Sequence, residues 1–193
     1  MSPDPTAQKP EDESAATERW HAWLQVPGMK GERAALRRAQ QVEEVFGVTA
    51  YHALQPRLGR WNRPLTAARI AMALATIRQD RTESPAEGED ADGMPDKPVS
   101  WGVTLGRALA VMAPSGKRRV SKERLRLLLS ADDPDQFLRL LRSTLGLLDD
   151  RAPVQDVADV VGAWHTPSLR ADVRRTIFLS YYRSLPVSEI DNA

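Results

Sequence analysis

The sequence predicts an all-α protein: eight to nine short helices in two helical packing units, joined across an acidic loop. Three observations predict it. Ala, Leu and Arg dominate the 193 residues while Ile, Thr and Tyr are scarce, a composition that favours helix over strand. Apolar residues recur at i, i+3 and i+4 along most of the chain, and no stretch alternates convincingly as a half-buried strand does. Proline and glycine stand where that pattern breaks, as helix punctuation does.

Residues 1–14 are proline-rich and acidic and read as a disordered tail. A first helix is expected to begin between Ser14 and Thr17, with Trp20, Trp23 and Leu24 on one face and Pro27-Gly28 as its stop. Residues 31–45 read as a second helix with Ala34, Ala35, Leu36, Ala39 and Val42 inward. A third spans Ala50 to Leu58, and a fourth runs from Leu65 to about Gln79 on Ala67, Ile70, Ala71, Leu74 and Ile77. Residues 80–98 are rich in Asp, Glu, Gly and Pro and read as a mobile acidic loop.

Helical spacing resumes over Val99–Met112, through Trp101, Leu105, Ala108 and Leu109. After Pro114-Ser115-Gly116, Ser121 is placed to cap a helix carrying Leu125, Leu128 and Leu129, without the acid at Arg124 that a capping box needs. Asp133-Pro134 reads as an N-cap with proline at N1, opening a periodic helix from Phe137 to Leu148. Pro153 and Pro167 open the last two helices. The expected units are 15–112, which contains the acidic loop, and 113–185, with a frayed tail at 186–193.

Charge is distributed unevenly. The formal net charge is only +1. The first 18 residues and residues 79–98 nevertheless hold 12 of the 26 acids and 3 of the 27 bases, leaving 24 bases against 14 acids elsewhere. Most of that excess is arginine, whose planar fork suits phosphate oxygens. A polyanion is the expected ligand.

Other classes lack support. There is no cysteine, so disulfides and thiolate metal sites are excluded. His21, His52 and His165 stand in no ligand spacing and read as structural, and Ser115-Gly116-Lys117 is only a fragment of a phosphate loop. No enzyme, cofactor or metal is expected. The N-terminal stretch has no secretory pattern and no run is long enough to span a membrane, so a cytoplasmic location is expected.

Four basic clusters are candidate nucleic-acid contacts. The first is Arg33, Arg37 and Arg38, extended by Lys30; like charges at i, i+4 repel unless a phosphate or a solvated face with Glu32 and Glu44 relieves them. The second is Arg57, Arg60 and Arg63 around Trp61, whose ring can stack on an unpaired base, plug the core or meet a protein. The third is Lys117, Arg118 and Arg119 with Lys122, Arg124 and Arg126, at a loop and helix N-terminus. The fourth is Arg139 and Arg142, with Arg170, Arg174, Arg175 and Arg183; some of these are expected to pair with Asp156, Asp159 and Asp172. No base-reading helix is evident, so binding should ignore sequence and weaken with salt.

The segment Gly31-Glu32-Arg33-Ala34-Ala35-Leu36-Arg37-Arg38-Ala39 resembles the N-terminal signature of the CasB/Cse2 family, small subunits of the type I-E CRISPR surveillance complex, Cascade. Similar features continue in order: Trp20, Trp23 and Leu24; the helix Trp101–Leu109; Arg124–Leu128; Phe137–Arg142; Val173-Arg174-Arg175; and Tyr181-Tyr182. The resemblance implies an all-α, non-catalytic protein. Its partners would be CRISPR RNA, target and non-target DNA, Cas7-type backbone subunits, the large Cascade subunit and a second copy of itself, with no membrane. It implies a role in stabilising the complex and the R-loop, including the displaced strand. Arg33, Arg37 and Arg38 match the family's basic positions; Arg118, Arg119, Arg139 and Arg142 fall in its basic C-terminal region. The acidic segment 80–98 departs from the family as an insertion. A structural adaptor whose arginines pair with acidic proteins is the alternative; an autonomous DNA-binding regulator lacks a reading helix.

Overall fold

The structure is a computed structural model that describes residues 10–81, 101–111 and 119–185, with side chains from Ala15 onward. Among these residues nine α-helices form: α1 (Pro10–Leu24), α2 (Lys30–Arg38), α3 (Thr49–Leu54), α4 (Pro64–Thr76), α5 (Val103–Ala110), α6 (Lys122–Ser130), α7 (Pro134–Leu145), α8 (Val154–Ala163) and α9 (Pro167–Arg183). Short 3-10 segments fill many of the joints. The protein is all-α. The acidic run 82–98, Met112 to Arg118 and the tail 186–193 lie outside the described residues.

α4 is the hub. Every residue from Thr66 to Thr76 is buried. Its alanines let neighbours approach closely, and α2, α7 and α8 pack around it. A second centre is the α5–α9 pair, and α8 touches both centres. The main partner of α5 is α9. The reason is Gly106: a Cβ there would lie 2.7 Å from the Ile177 carbonyl oxygen, so only glycine lets the two helices meet at this distance. Aromatics knit the core across the sequence. Trp164 stacks on Phe137 at 3.5 Å and donates Nε1–H to the Ala131 carbonyl, while Tyr181 donates to the Val120 carbonyl.

Several expected boundaries move. α1 starts at Pro10, ahead of the Ser14–Thr17 window. The second helix, expected over 31–45, ends at Arg38, and Ala39 turns to extended backbone at ψ 126. The chain then restarts as a 3-10 helix, Val42–Gly47, under a capping box between Gln41 and Glu44. The third helix stops at Leu54 rather than Leu58, because Pro56 follows in a 3-10 turn over Gln55–Arg57. The α-helix α7 ends at Leu145 and tightens to 3-10 through Leu148. The predicted caps at Ser121 and Asp133 form: their side chains accept from Arg124 N–H and Gln136 N–H.

Among the described residues one short parallel bridge accompanies the helices. α4 ends at Thr76, and β1 (Gln79–Asp80) pairs in parallel with β2 (Arg151–Ala152). This bridge is two residues long, too short for any hydrophobic alternation to announce it. The Asp80 carboxylate then accepts from Val154 N–H, fixing the start of α8.

Candidate nucleic-acid interface

The densest arginine site is built where α2, the end of α4 and the α7–α8 connection meet. Arg33 on α2 donates to Gln25 Oε1. Arg37, one turn on, approaches the Asp150 carboxylate at 3.8 Å. Arg78, just past α4, reaches the same carboxylate at 3.0 Å. Asp150 is placed by its backbone, in the left-handed region at φ 57, with its carbonyl accepting from Arg78 N–H at 2.7 Å. Arg142 of α7 completes the group by donating to the Ala39 carbonyl at 2.9 Å and to the Arg37 carbonyl. That guanidinium supplies the partners that the last carbonyls of α2 lack. It stabilises the early end of α2.

Two guanidiniums thus share one carboxylate, with Arg33 within its electrostatic reach and Arg142 beside Arg37. Burial pushes the Arg33 guanidinium below its ordinary pKa, and the charges of Arg37 and Arg78 push it further. Burial, then Arg37, does the same to Arg142. The ends of this site are solvent-facing: Lys30 and Arg38 are exposed. Arg139, also exposed, borders a groove of about 250 Å³ shared with Arg142, Gln40 and Gln41. The structure therefore joins the first cluster to Arg139 and Arg142 of the fourth.

The second cluster has a different setting. Arg57, Arg60 and Arg63 are exposed. Trp61, the ring with three candidate fates, goes inward: its Nε1 donates to Asp159 at 2.9 Å and its face lies on Gly162, where a Cβ would meet the ring at 2.4 Å. Trp101 packs edge-on against it, and Arg60 covers both rings, 4.5 Å from Trp101 and 5.3 Å from Trp61. Stacking on a base at Trp61 is thereby closed off.

In the third cluster Lys117 and Arg118 lie outside the described residues. Arg119 is half-buried, Lys122 lies 6.0 Å above the Tyr182 ring, and Arg124 and Arg126 are exposed. The remaining arginines of the fourth are partly spent on the fold. Arg170 and Arg174 both reach Asp132, and Arg175 pairs with Asp172 at 3.9 Å. Asp156 and Asp159, expected to answer arginines, do not. Asp156 accepts from Gly102 N–H, Leu105 N–H and Thr104 Oγ1–H, and Asp159 accepts from Trp61 and Gln155. Neutral donors satisfy both carboxylates because α8 buries them against α5 and Trp61.

Sequence reasoning missed two arginines. Arg78 stands alone at the end of the expected fourth helix, in no basic cluster; its approach to α2 accompanies the β1–β2 bridge, which has no sequence signal. Arg69 is buried in α4 and holds Asp135 through two bonds of 2.6 and 2.8 Å. His165 lies 3.4 Å from Arg69 and is pushed down to about 4 by burial and by that guanidinium. His21 is buried, bonded to the Ile77 carbonyl and lowered by burial; exposed His52 bonds the Phe46 carbonyl. Among the described residues no cluster of metal-ligating side chains occurs, and no helix is long and apolar enough to cross a membrane.

A family model described as CRISPR-associated protein Cse2 matches residues 32–182. Among solved structures, a chain of the crystal structure of E. coli Cascade bound to a PAM-containing dsDNA target superposes with a TM-score of 0.54 at 18% identity, covering 88% of this chain and 95% of that chain. No curated protein matches by sequence. The structural likeness establishes a shared fold.

Proposed function

The chain belongs to the CRISPR-associated Cse2 family, and from that membership we propose that it is a non-catalytic subunit of a CRISPR RNA-guided surveillance ribonucleoprotein. In this reading its arginine surface contacts nucleic-acid backbone and stabilises the complex and the R-loop, the displaced DNA strand included. Its neighbours are Cas7-type backbone subunits, the large Cascade subunit and a second copy of the chain, in the cytoplasm. The fold shared with a chain of a DNA-bound Cascade supports the assignment. The observation that carries the nucleic-acid part is the sharing of one carboxylate, Asp150, by Arg37 and Arg78 with Arg33 alongside. Phosphate oxygens are the missing counter-charge.

The energetics fit the task. Exchanging a DNA duplex for a guide–target heteroduplex is nearly balanced, so modest backbone contacts tip it. Contacts to phosphate carry no sequence information.

The test is a salt series. Purified protein is titrated with single- and double-stranded DNA and RNA, beside a variant carrying Arg33→Gln, Arg37→Gln and Arg78→Gln. Binding should be indifferent to sequence. The slope of log K against log salt should fall by about 2–3 in the variant, one unit per lost phosphate contact. Wild-type protein that binds no nucleic acid at low salt would favour the adaptor reading.

A further inference from the structure

α1 carries two tryptophans with opposite fates. Trp20 is 3% exposed, and its Nε1–H is spent on the Ala50 carbonyl. Trp23 is 39% exposed. It lines a groove of about 320 Å³ between α1 and the Gln55–Arg57 turn, whose other walls are Ala16, Trp20 and Ala53. Two guanidiniums rim this groove, Arg19 from α1 and Arg57 from the turn. The Arg57 guanidinium is held against its wall by the Ala53 carbonyl.

We infer that this groove is a stacking subsite for one unpaired nucleotide: the base lies against the Trp23 indole and its phosphates meet Arg19 and Arg57. The inference rests on the nucleic-acid reading above and deepens it. An apolar floor alone would accept any greasy side chain. A flat aromatic between two cations on facing walls is complementary to a planar ring flanked by anions, and every base offers a π-face regardless of sequence. The subsite is separate from the Asp150 cluster. The residues lining the groove include none of Arg33, Arg37, Arg78 and Asp150. The protein would then hold a single strand by phosphate at the Asp150 cluster and by a base at this groove, which a duplex with its bases stacked inside cannot reproduce.

The experiment compares two strands with the same phosphates. Full-length protein is titrated at fixed low salt with a single-stranded oligo-dT and with an abasic oligonucleotide of equal length. The expected result is binding of both, with oligo-dT tighter by about fivefold or more. Trp23→Ala should erase that preference while leaving the abasic affinity unchanged, and Trp23→Phe, which keeps a flat ring, should retain most of it. Equal binding of the two strands by the wild type, or a preference that survives Trp23→Ala, overturns the subsite and leaves the phosphate reading standing; the groove then belongs to an apolar protein segment. Binding of neither strand overturns both readings.

Discussion

Asp156 and Asp150 lie close together in the sequence and answer opposite needs. Asp156 is 9% exposed and meets no guanidinium; two backbone N–H groups of the α5 start and the Thr104 hydroxyl satisfy it. It ties α8 to α5, and burial pushes its pKa up. Asp150 is also mostly buried, but it is one carboxylate among Arg37, Arg78 and the nearby Arg33. A carboxylate satisfied by neutral donors is a strut, complete without a ligand. An arginine group with too few acids keeps a positive field, which in the proposed reading an anion neutralises. Residue type does not separate the two cases. The ratio of charges within reach does.

The largest test of this contrast is Asp156→Ala. It leaves three donors without a partner in a buried site and removes the link from α8 to α5. A loss of about 3 kcal/mol in unfolding free energy is expected, measured by chemical denaturation. Nucleic-acid affinity per folded molecule should not change. A variant that folds normally yet binds weakly would place Asp156 in the interface and erase the distinction.

Arg69 is the intermediate case, an arginine with its own dedicated acid. Asp135 is held below the usual carboxylate range by the hydrogen bond from Arg69, against the effect of burial. His165 is held at about 4, against an ordinary 6.5. Its native pKa is depressed, so the unfolded chain binds the proton first. The stability due to His165 is complete above pH 6.5 and drains as pH falls toward 4, by on the order of 2–3 kcal/mol. The Asp135 contribution is complete above the ordinary aspartate range and is lost only lower, as pH falls through its depressed value. His165→Gln should therefore flatten the stability profile between pH 6.5 and 4 and leave the more acidic limb in place. A profile unchanged by the substitution would mean that His165 is solvated like any surface histidine.

Local chemistry was legible in the sequence, and long-range chemistry was not. The caps at Ser121 and Asp133 and the prolines opening α7 and α9 follow from neighbours a few residues away, and they form as expected. Spacing marks Ala67, Ile70, Ala71 and Leu74 of α4 as core, but the burial of its other side, Arg69 included, comes from helices distant in sequence that pack around it. The end of α2 does not follow from spacing, because the group that completes it, the Arg142 guanidinium, comes from 103 and 105 residues away in the chain. The same holds for the site. Arg33, Arg37 and Arg38 were visible as a cluster because a helix brings i and i+4 together. Arg78 was invisible because a two-residue strand bridge delivers it. From the sequence Trp61 can plug the core, stack on a base or meet a protein, and the bare backbone of Gly162 beneath it decides for the core.

The smallest expected effect is the sharpest discriminator. Asp150→Asn keeps the shape of the side chain, and asparagine adopts the left-handed backbone at this position as readily as aspartate. The carbonyl that accepts from Arg78 N–H and Gln79 N–H is untouched. Stability should change by no more than about 1 kcal/mol, since the ion pairs lost are partly solvated. Binding should move the other way. With its one carboxylate neutralised, the Arg33–Arg37–Arg78 group presents a stronger positive field, and affinity for single-stranded DNA at low salt should rise about two- to fivefold. The gain should shrink as salt rises, because screening acts on the same long-range attraction. An unchanged or weaker affinity would show that Asp150 mainly aims Arg37 and Arg78, making it a strut like Asp156 after all.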